Sequence, residues 1–316
     1  MTTLQRGFVG LLLLIALAAG GAVLLKSGTY GFTIFVVAPV LIGALASWVV
    51  RPATAKQAAG VGTLATLLAT CSLLAAGWEG LLCTLMALPL ALPLGALGGW
   101  LAYKISSSRV ATSGVAMVLL LPSASLTWDV TATPPVFEVR SAIEIAAQPE
   151  QVWRHVVTVS ELPEPAEWFF RAGLAYPQRA RIVGSGIGAV RYCDFSTGSF
   201  VEPIEVWDEP RLLRFAVTAN PAPMNEWSPY AQVLPKHLHG YFISKRGQFR
   251  LTPLANHHTL LEGTSWYQHG LWPAEYWRWW SDAIIHRIHS RVLTHIRTLA
   301  EEDIETVGLN SNGYNR

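Results

Sequence analysis

Long uncharged apolar runs fill residues 1–130 and restrict what this part of the chain can form. A helix needs about 20 predominantly apolar residues to cross a bilayer. Four runs meet that requirement: Gly7 to Leu25, Phe32 to Val50, Val61 to Trp78 and Leu81 to Tyr103. A fifth run, Val110 to Trp128, contains Pro122 and several Ser and Thr residues. Residues 1–130 are therefore predicted to be an all-α transmembrane domain of four to five helices.

The basic residues between these runs predict an orientation. With the N-terminus in the cytoplasm, five basic residues lie inside and only Lys26 and Glu79 lie outside, as the positive-inside rule requires. The inside residues are Arg6, Arg51, Lys56, Lys104 and Arg109. If the fifth run crosses, the C-terminal half is extracytoplasmic, which we expect. If that run is re-entrant or lies in the membrane–water interface, the C-terminal half is cytoplasmic.

Charge and cysteine content limit the function classes. Residues 1–130 hold six basic and two acidic residues, and residues 131–316 hold the other 17 basic and 19 acidic residues. The second part is slightly acidic, which disfavours nucleic-acid binding. No predicted span has an ionisable residue near its centre, which argues against a transporter or pump. Three cysteines, of which only Cys193 lies in the polar half, provide no disulfide framework there.

After a Pro-rich linker, residues 131–135, the pattern changes to that of a soluble α+β domain. Residues 137–145 alternate between apolar and polar and predict a half-buried strand. Pro149 is suited to the first turn of a helix. Further alternating segments predict an antiparallel sheet. They are residues 189–195, Ser199 to Trp207, Leu212 to Thr218, Tyr241 to Leu251 and Thr259 to Tyr267. The stretch "GSGIGAV" precedes a strand, so it is interpreted as a hairpin turn and not as a phosphate-binding loop.

The last segment predicts a long amphipathic helix from Pro273 to about Glu302. At 100° per residue its apolar side chains form one stripe, with Asp282, His286 and His289 away from it and facing water. The stripe consists of Trp277, Trp280, Ile284, Ile288, Val292, His295 and Leu299. We expect residues 136–303 to form the domain and residues 304–316 to form a flexible tail.

The C-terminal half resembles the helix-grip superfamily of START-like, SRPBCC and polyketide cyclase/dehydratase proteins. The resemblance covers about Val136 to Glu302. It depends on "EVRSAIEIAAQPEQVWRHV", on "EPRLLRFAV" and on the Trp-rich final helix. It implies an antiparallel sheet wrapped around the long C-terminal helix, with a hydrophobic cavity for lipids, polyketides or other apolar ligands. The chain departs from the pattern in its membrane half and in a Pro-rich insertion, Asn220 to Gly240. Since no single catalytic motif defines the superfamily, no catalytic residue is assigned.

An apolar pocket is predicted from the aromatic load and the helix stripe, because ligand pockets are mostly apolar with a few polar groups. The candidate ligand-binding residues are Tyr192, Phe215, Glu262, Trp266, Tyr267, Trp277, Trp280, Ile284, Ile288 and His295. His295 could be a hydrogen-bonded core histidine, a pocket residue or a general base. Glu262 could form an ion pair, be exposed or act as a pocket acid. The histidines show no strong ligand spacing, so no metal or cofactor is predicted.

Three functions remain open. The leading hypothesis is a membrane-anchored binding protein for a hydrophobic small molecule or lipid. The second is a cyclase- or dehydratase-type enzyme that uses His295 with Glu262 or Tyr267. The third is a membrane-tethered protein-interaction module, whose protein partner is unknown. The insertion is interpreted as a lid over the cavity or a contact to the membrane, since loops of this length are usually functional or disordered.

Overall fold

Two compact units make up the chain, and they do not follow the sequence in two simple blocks. The computed structural model describes residues 2–107, 111–230 and 235–313. The first unit combines Met1–Pro134 with two later segments, Glu226–Leu238 and Gly270–Trp277. The second unit consists of Pro135–Asn225, His239–His269 and Arg278–Arg316. The sequence analysis predicted a single boundary, at residues 131–135, so it assigned both of these later segments to the C-terminal domain.

Five long helices form most of the first unit. They are α1 (Thr3–Ser27), α2 (Ala38–Val50, preceded by a π-helical turn at Thr33–Val37), α3 (Ala55–Ala75), α4 (Leu81–Ser107) and α5 (Ala111–Thr131). Helix α1 begins with a capping box between Thr2 and Gln5 and ends at Gly28, whose φ of 83° closes the last turn. The Asp129 carboxylate accepts hydrogen bonds from the amides of Phe32 and Thr33 at 2.7 and 2.9 Å, and thereby caps the turn that leads into α2.

Four of these helices are long and apolar enough to cross a membrane. They are Leu4–Ser27, Thr33–Val50, Ala55–Ala75 and Leu81–Ser106, which matches the four predicted spans. The fifth run forms helix α5, but side chains 111–120 lie outside the part that the structure describes. Its crossing of the membrane therefore stays a prediction.

Glycines allow α2, α3 and α4 to pack with their backbones in close contact. A Cβ atom at Gly43 of α2 or at Gly62 of α3 would overlap with the carbonyl oxygen of Gly95 on α4. One turn further along α4, a Cβ at Gly99 would overlap with the carbonyl oxygen of Ala58. Small residues at such positions are typical of helix association in membranes, where close van der Waals contact replaces the hydrophobic effect.

The second unit contains a seven-stranded antiparallel sheet with the order β1-β7-β6-β5-β4-β3-β2. The strands are β1 (Val136–Ile145), β2 (Pro177–Val183), β3 (Val190–Phe195), β4 (Gly198–Asp208), β5 (Leu212–Ala216), β6 (Phe242–Pro253) and β7 (Thr259–His269). Helices α6 (Pro149–Val157) and α7 (Trp168–Arg171) lie between β1 and β2 along the chain. Register shifts occur in β2, β4 and β6, and bulges of this kind bend a strand and increase its twist.

The curled sheet wraps around helix α8 (Ala274–Gly313), which confirms the predicted helix-grip architecture. Leu293, Ile296 and Ala300 of α8 join the main hydrophobic core with residues of the sheet and of α6. Helix α8 continues through residues 304–313, and the flexibility of this tail stays a prediction. The remainder of that predicted tail, residues 314–316, lies outside the described residues.

A substitution of Gly62 should show how strongly the first unit depends on backbone contact. Gly62→Ala should lower the free energy of unfolding by about 1–3 kcal/mol, because the added methyl group forces α3 and α4 apart. Gly60→Ala on the same helix is the control, since a Cβ there meets no atom within 4 Å. Thermal unfolding of both variants in detergent, followed by circular dichroism, measures the difference. Equal midpoints for the two variants would contradict the packing described here.

Candidate functional site

A cavity of about 130 Å³ lies inside the second unit, between the concave face of the sheet and helix α8. Five phenylalanines supply much of its sheet side: Phe195, Phe200, Phe215, Phe242 and Phe249. Helix α8 supplies Ile285, Ile288, Val292 and Leu293. A space bounded by aromatic and aliphatic side chains favours an apolar occupant, since water needs polar partners to be held in a cavity.

A buried ion pair forms one polar part of the cavity wall. Arg191 on β3 and Glu202 on β4 are register partners, and the Arg191 guanidinium donates to the Glu202 carboxylate. Arg191 also lies over the rings of Phe215 and Phe249, at 5.4 and 5.6 Å from their centroids. Its Nε–H is buried and has no acceptor among the described residues. The wall therefore offers one hydrogen-bond donor that the protein itself does not use.

A second polar part of the wall is formed by Tyr267 and His289. The Tyr267 hydroxyl on β7 donates to an Asp282 carboxylate oxygen at 2.5 Å. His289 on α8 is hydrogen-bonded through Nε2 to the Ser265 hydroxyl at 2.8 Å and through Nδ1 to the Ser141 hydroxyl at 3.1 Å. Both ring nitrogens are therefore engaged, which fixes the imidazole at the edge of the cavity.

Burial sets the protonation states along the wall. It lowers the pKa of His289 to about 4, with a smaller contribution from His286, so the imidazole is neutral near neutral pH. It raises the pKa of the Cys193 thiol to about 12 and, together with the Asp282 carboxylate, raises the pKa of Tyr267. Burial also raises the pKa of the Glu202 carboxyl, against the opposing effect of Arg191. The thiol, the phenol and the imidazole are thus all uncharged in the folded protein.

Three of the candidate residues from the sequence lie on the cavity wall: Phe215, Tyr267 and Ile288. They come from β5, β7 and α8, so the fold brings together residues that are far apart in the sequence. Direct contact between these side chains and a ligand stays a prediction.

The other candidates in the sheet lie away from the cavity lining. Tyr192 alternates with the lining residues Arg191 and Cys193, and its ring lies 4.4 Å from the Arg181 guanidinium. Glu262 forms an ion pair with Arg140 at 3.8 Å. The Trp266 indole donates to Glu138 at 2.9 Å. These side chains make polar or cation–π contacts with neighbouring strands instead.

Four candidates on α8 also lie outside the cavity lining in which they were predicted. Trp277 belongs to the first unit, where its ring lies 4.7 Å from Phe35. Trp280 packs beside Trp279 at 5.0 Å, and Ile284 is half-buried but does not line the described cavity. His295 is hydrogen-bonded to the Ser160 hydroxyl at 3.0 Å.

The buried face of α8 is rotated by one residue relative to the predicted apolar stripe, which explains these positions. The predicted stripe passes through Ile284 and His295, whereas the buried face passes through the next residues, Ile285 and Ile296. Apolar residues occur as adjacent pairs along α8, so periodicity alone fits both faces. The cost of burying His295 is a signal that favours the second face, because an unpaired buried polar group costs about 1–3 kcal/mol. With that face inward, His289 lies at the cavity and not in water.

Sequence reasoning did not find Arg191, Glu202 and His289 as wall residues. The alternation along β3 is compatible with either of its faces pointing inward, so it does not identify Arg191 as a cavity residue. The signal that could have identified the pair is register: each residue alternates with apolar neighbours on its own strand, and the short turn at residues 196–197 sets the two strands directly opposite each other.

Comparisons with known proteins concern the C-terminal half. No family model matches the chain, and no curated protein matches it. Among solved structures, a norcoclaurine synthase from Thalictrum flavum is 10% identical, with a TM-score of 0.34, over 55% of this chain and 99% of that one. An aromatase/cyclase from a Streptomyces species is 16% identical, with a TM-score of 0.35, over 54% and 96%. The Aha1 protein of Colwellia psychrerythraea is 14% identical, with a TM-score of 0.31, over 52% and 96%. At these identities and TM-scores the likeness supports no statement about function.

The lowered pKa of His289 predicts a pH dependence of stability. Because the unfolded imidazole has a pKa near 6.5 and the folded one near 4, the unfolded state binds the extra proton between these values. Stability is therefore fully present above pH 6.5 and falls as the pH is lowered toward 4, by up to about 3 kcal/mol. In His289→Gln this part of the pH dependence should disappear, as measured by chemical denaturation at several pH values.

A control for this experiment is His239→Gln, since His239 is an exposed residue of the same unit. That variant should keep the wild-type dependence of the free energy of unfolding on pH. If His289→Gln also kept it, a neutral buried His289 would be disproved.

Proposed function

We propose that the protein is a membrane-anchored binding protein for a hydrophobic small molecule that has one hydrogen-bond acceptor. The single observation that supports this most strongly is the apolar cavity of about 130 Å³ between the sheet and α8. The four span-length helices of the first unit support the membrane part of the proposal, and apolar ligands are concentrated in membranes.

The size of the cavity limits what it can enclose. An engineered cavity of about 150 Å³ lined by aliphatic and aromatic side chains stays dry and binds benzene. The present cavity, at about 130 Å³, is close to that size and smaller than a pocket for a drug-sized molecule. It suits a single ring, a branched isoprenoid unit or the end of an acyl chain, with any larger ligand extending beyond it.

The polar wall suggests where the ligand's acceptor lies. The unused Nε–H of Arg191 is a buried donor, and a carbonyl or hydroxyl oxygen of the ligand would satisfy it. A buried donor without an acceptor costs about 1–3 kcal/mol, which such a ligand would recover. Since Glu202 already neutralises the guanidinium, a neutral ligand fits this wall better than an anionic one.

Protonation favours binding over acid–base catalysis. General acids and bases work best with a pKa near the operating pH. His289 and Cys193, at about 4 and about 12, lie far from neutrality. An enzyme is the second candidate function. The observation that favours it is the Glu202 carboxyl, which is buried in the cavity wall and has a raised pKa. A ligand recovered chemically altered after incubation with the wild-type protein, and unaltered with Glu202→Gln, would identify an enzyme.

Ligand binding can be tested by filling the cavity of the full chain in detergent. Benzene should raise the thermal unfolding midpoint of the second unit in the wild-type protein, because a ligand that binds only the folded state stabilises it. Ile288→Trp places a larger side chain in the cavity and should abolish the benzene effect, while Ile288→Phe should reduce it. Differential scanning calorimetry with and without benzene provides the measurement.

A matched control is Ile187→Trp, the same substitution on the hairpin turn, where the side chain is 74% exposed. It should respond to benzene as the wild type does. A benzene effect that survives in both Ile288 variants would exclude the cavity as the binding site.

We also propose that the second unit lies outside the cytoplasm, with α5 as a fifth crossing helix. The support is the excess of basic residues in the loops that the orientation places inside. Alkaline phosphatase fused to the C-terminus should be active and green fluorescent protein fused there should be dark. The opposite pattern would place the unit in the cytoplasm and show that α5 does not cross. The third hypothesis, an interaction module, has less support because it called for a solid interior.

A further inference from the structure

A second cluster of chemically active side chains lies in the first unit, away from the ligand cavity. It contains Glu79, in the loop between α3 and α4, Cys83, in the first turn of α4, and His237, in the short turn Lys236–Leu238. The Cys83 Sγ lies 2.8 Å from His237 Nε2, and His237 Nδ1 lies 3.7 Å from a Glu79 carboxylate oxygen. One donor atom can be taken from each residue so that all three lie within 4.8 Å of one another.

The cluster is buried and contains a polar atom without a partner. The side chains of His237 and Glu79 are only 8% and 10% exposed. His237 Nδ1 has no hydrogen-bond partner among the described residues. Because a buried nitrogen of this kind is costly, a native structure normally provides it with a hydrogen bond or an ion. A carboxylate oxygen of Glu79 lies 3.7 Å from this nitrogen, which is too far for a hydrogen bond.

The charges of the cluster match those of a divalent cation. A thiolate and a carboxylate together contribute two negative charges, and a neutral imidazole contributes none. Within the described residues, no Lys or Arg forms an ion pair with Glu79. The neighbouring carboxylate of Glu226 accepts hydrogen bonds from the amides of Leu82 and Cys83 at 3.1 and 3.0 Å, and it is also hydrogen-bonded to the Cys83 side chain. It caps α4 and holds the segment that contains His237 against this helix end.

The surroundings also resemble the shell of a metal site. The Tyr30 hydroxyl donates to one Glu79 oxygen, Oε1, at 2.9 Å, which leaves Oε2 directed at His237. Hydrogen bonds from outside the ligand set orient ligands in this way. A cavity of about 70 Å³ adjoins all three side chains, with Phe35 and Trp277 also in its wall. It leaves room for a water molecule as a fourth ligand.

We propose that Glu79, Cys83 and His237 bind a divalent transition-metal ion of the zinc class. Thiolate, imidazole and carboxylate are the ligands that Zn²⁺ uses in proteins, at about 2.0–2.3 Å in tetrahedral geometry. On binding, the Cys83 thiol releases its proton to solvent and the sulfur coordinates the ion. The imidazole turns so that one nitrogen faces the centre of the three donors. The ion fastens the Glu226–Leu238 segment to the membrane helices, which gives the Pro-rich insertion a structural role.

Cobalt binding tests this proposal on the full chain in detergent. After removal of metal with a chelator, Co²⁺ should bind in one equivalent and give the near-ultraviolet charge-transfer band of a thiolate ligand. Zn²⁺ should displace it. Cys83→Ser should remove the band, and His237→Gln should weaken Co²⁺ binding by at least about 100-fold, because loss of even an outer-shell partner costs about 10–100-fold.

The chain provides a matched control for each variant. Cys71 is an exposed cysteine and His239 an exposed histidine two positions from His237. Cys71→Ser and His239→Gln should keep the band and the affinity. In Cys71→Ser, Zn²⁺ should also slow alkylation of Cys83 by N-ethylmaleimide, as mapped by peptide mass spectrometry, which tests the site without changing a ligand. Wild-type protein that gives no thiolate band, or Cys83 alkylation that Zn²⁺ leaves unchanged, would show that the cluster is only a Cys–His contact and would overturn the proposal.

Discussion

The stability of the second unit depends on the burial of one face of α8 against the curled sheet. Toward the end of the helix, Leu293, Ile296 and Ala300 are almost fully buried and pack into the main core. One to two turns earlier, Ile285 and Ile288 face phenylalanine side chains across a gap. The same face of the helix therefore packs into the core over residues 293–300 and borders a cavity over residues 285–293. A filled core would stabilise the domain further, so the gap has a cost in stability, which the proposed ligand would offset.

Polar groups around the gap are arranged to remain neutral or paired. Arg191 and Glu202 compensate each other, and His289 is held between two serine hydroxyls. Such an arrangement can orient a ligand through one hydrogen bond, but it supplies little charge for bond cleavage. Two ionisable groups of the first unit are also paired with polar partners. Asp129 caps the start of a helix, and Glu79 is oriented by a hydrogen bond from Tyr30. Charge at low dielectric is expensive, and Asp129 and Glu79 each have a specific hydrogen-bond partner.

Elements with strong periodicity could be predicted from the sequence, and positions that depend on distant residues could not. The four spans, the sheet and the gripping helix follow from apolar runs and alternation. Strand β2 was missed because its arginines, Arg179 and Arg181, give it the polarity of a loop, as is typical of an edge strand. The helix phase was ambiguous by one residue. The Cys83–His237 contact joins residues 154 positions apart, beyond the reach of any spacing rule.

The central claim is that the space between the phenylalanine wall and α8 holds an apolar molecule. An experimental density map of the full chain, purified from its native membrane without added ligand, tests it most directly. The account predicts density in this space that no side chain explains, beside Phe215 and Ile288 and within reach of the Arg191 guanidinium. A map in which those side chains close the gap, with no density left over, would contradict it.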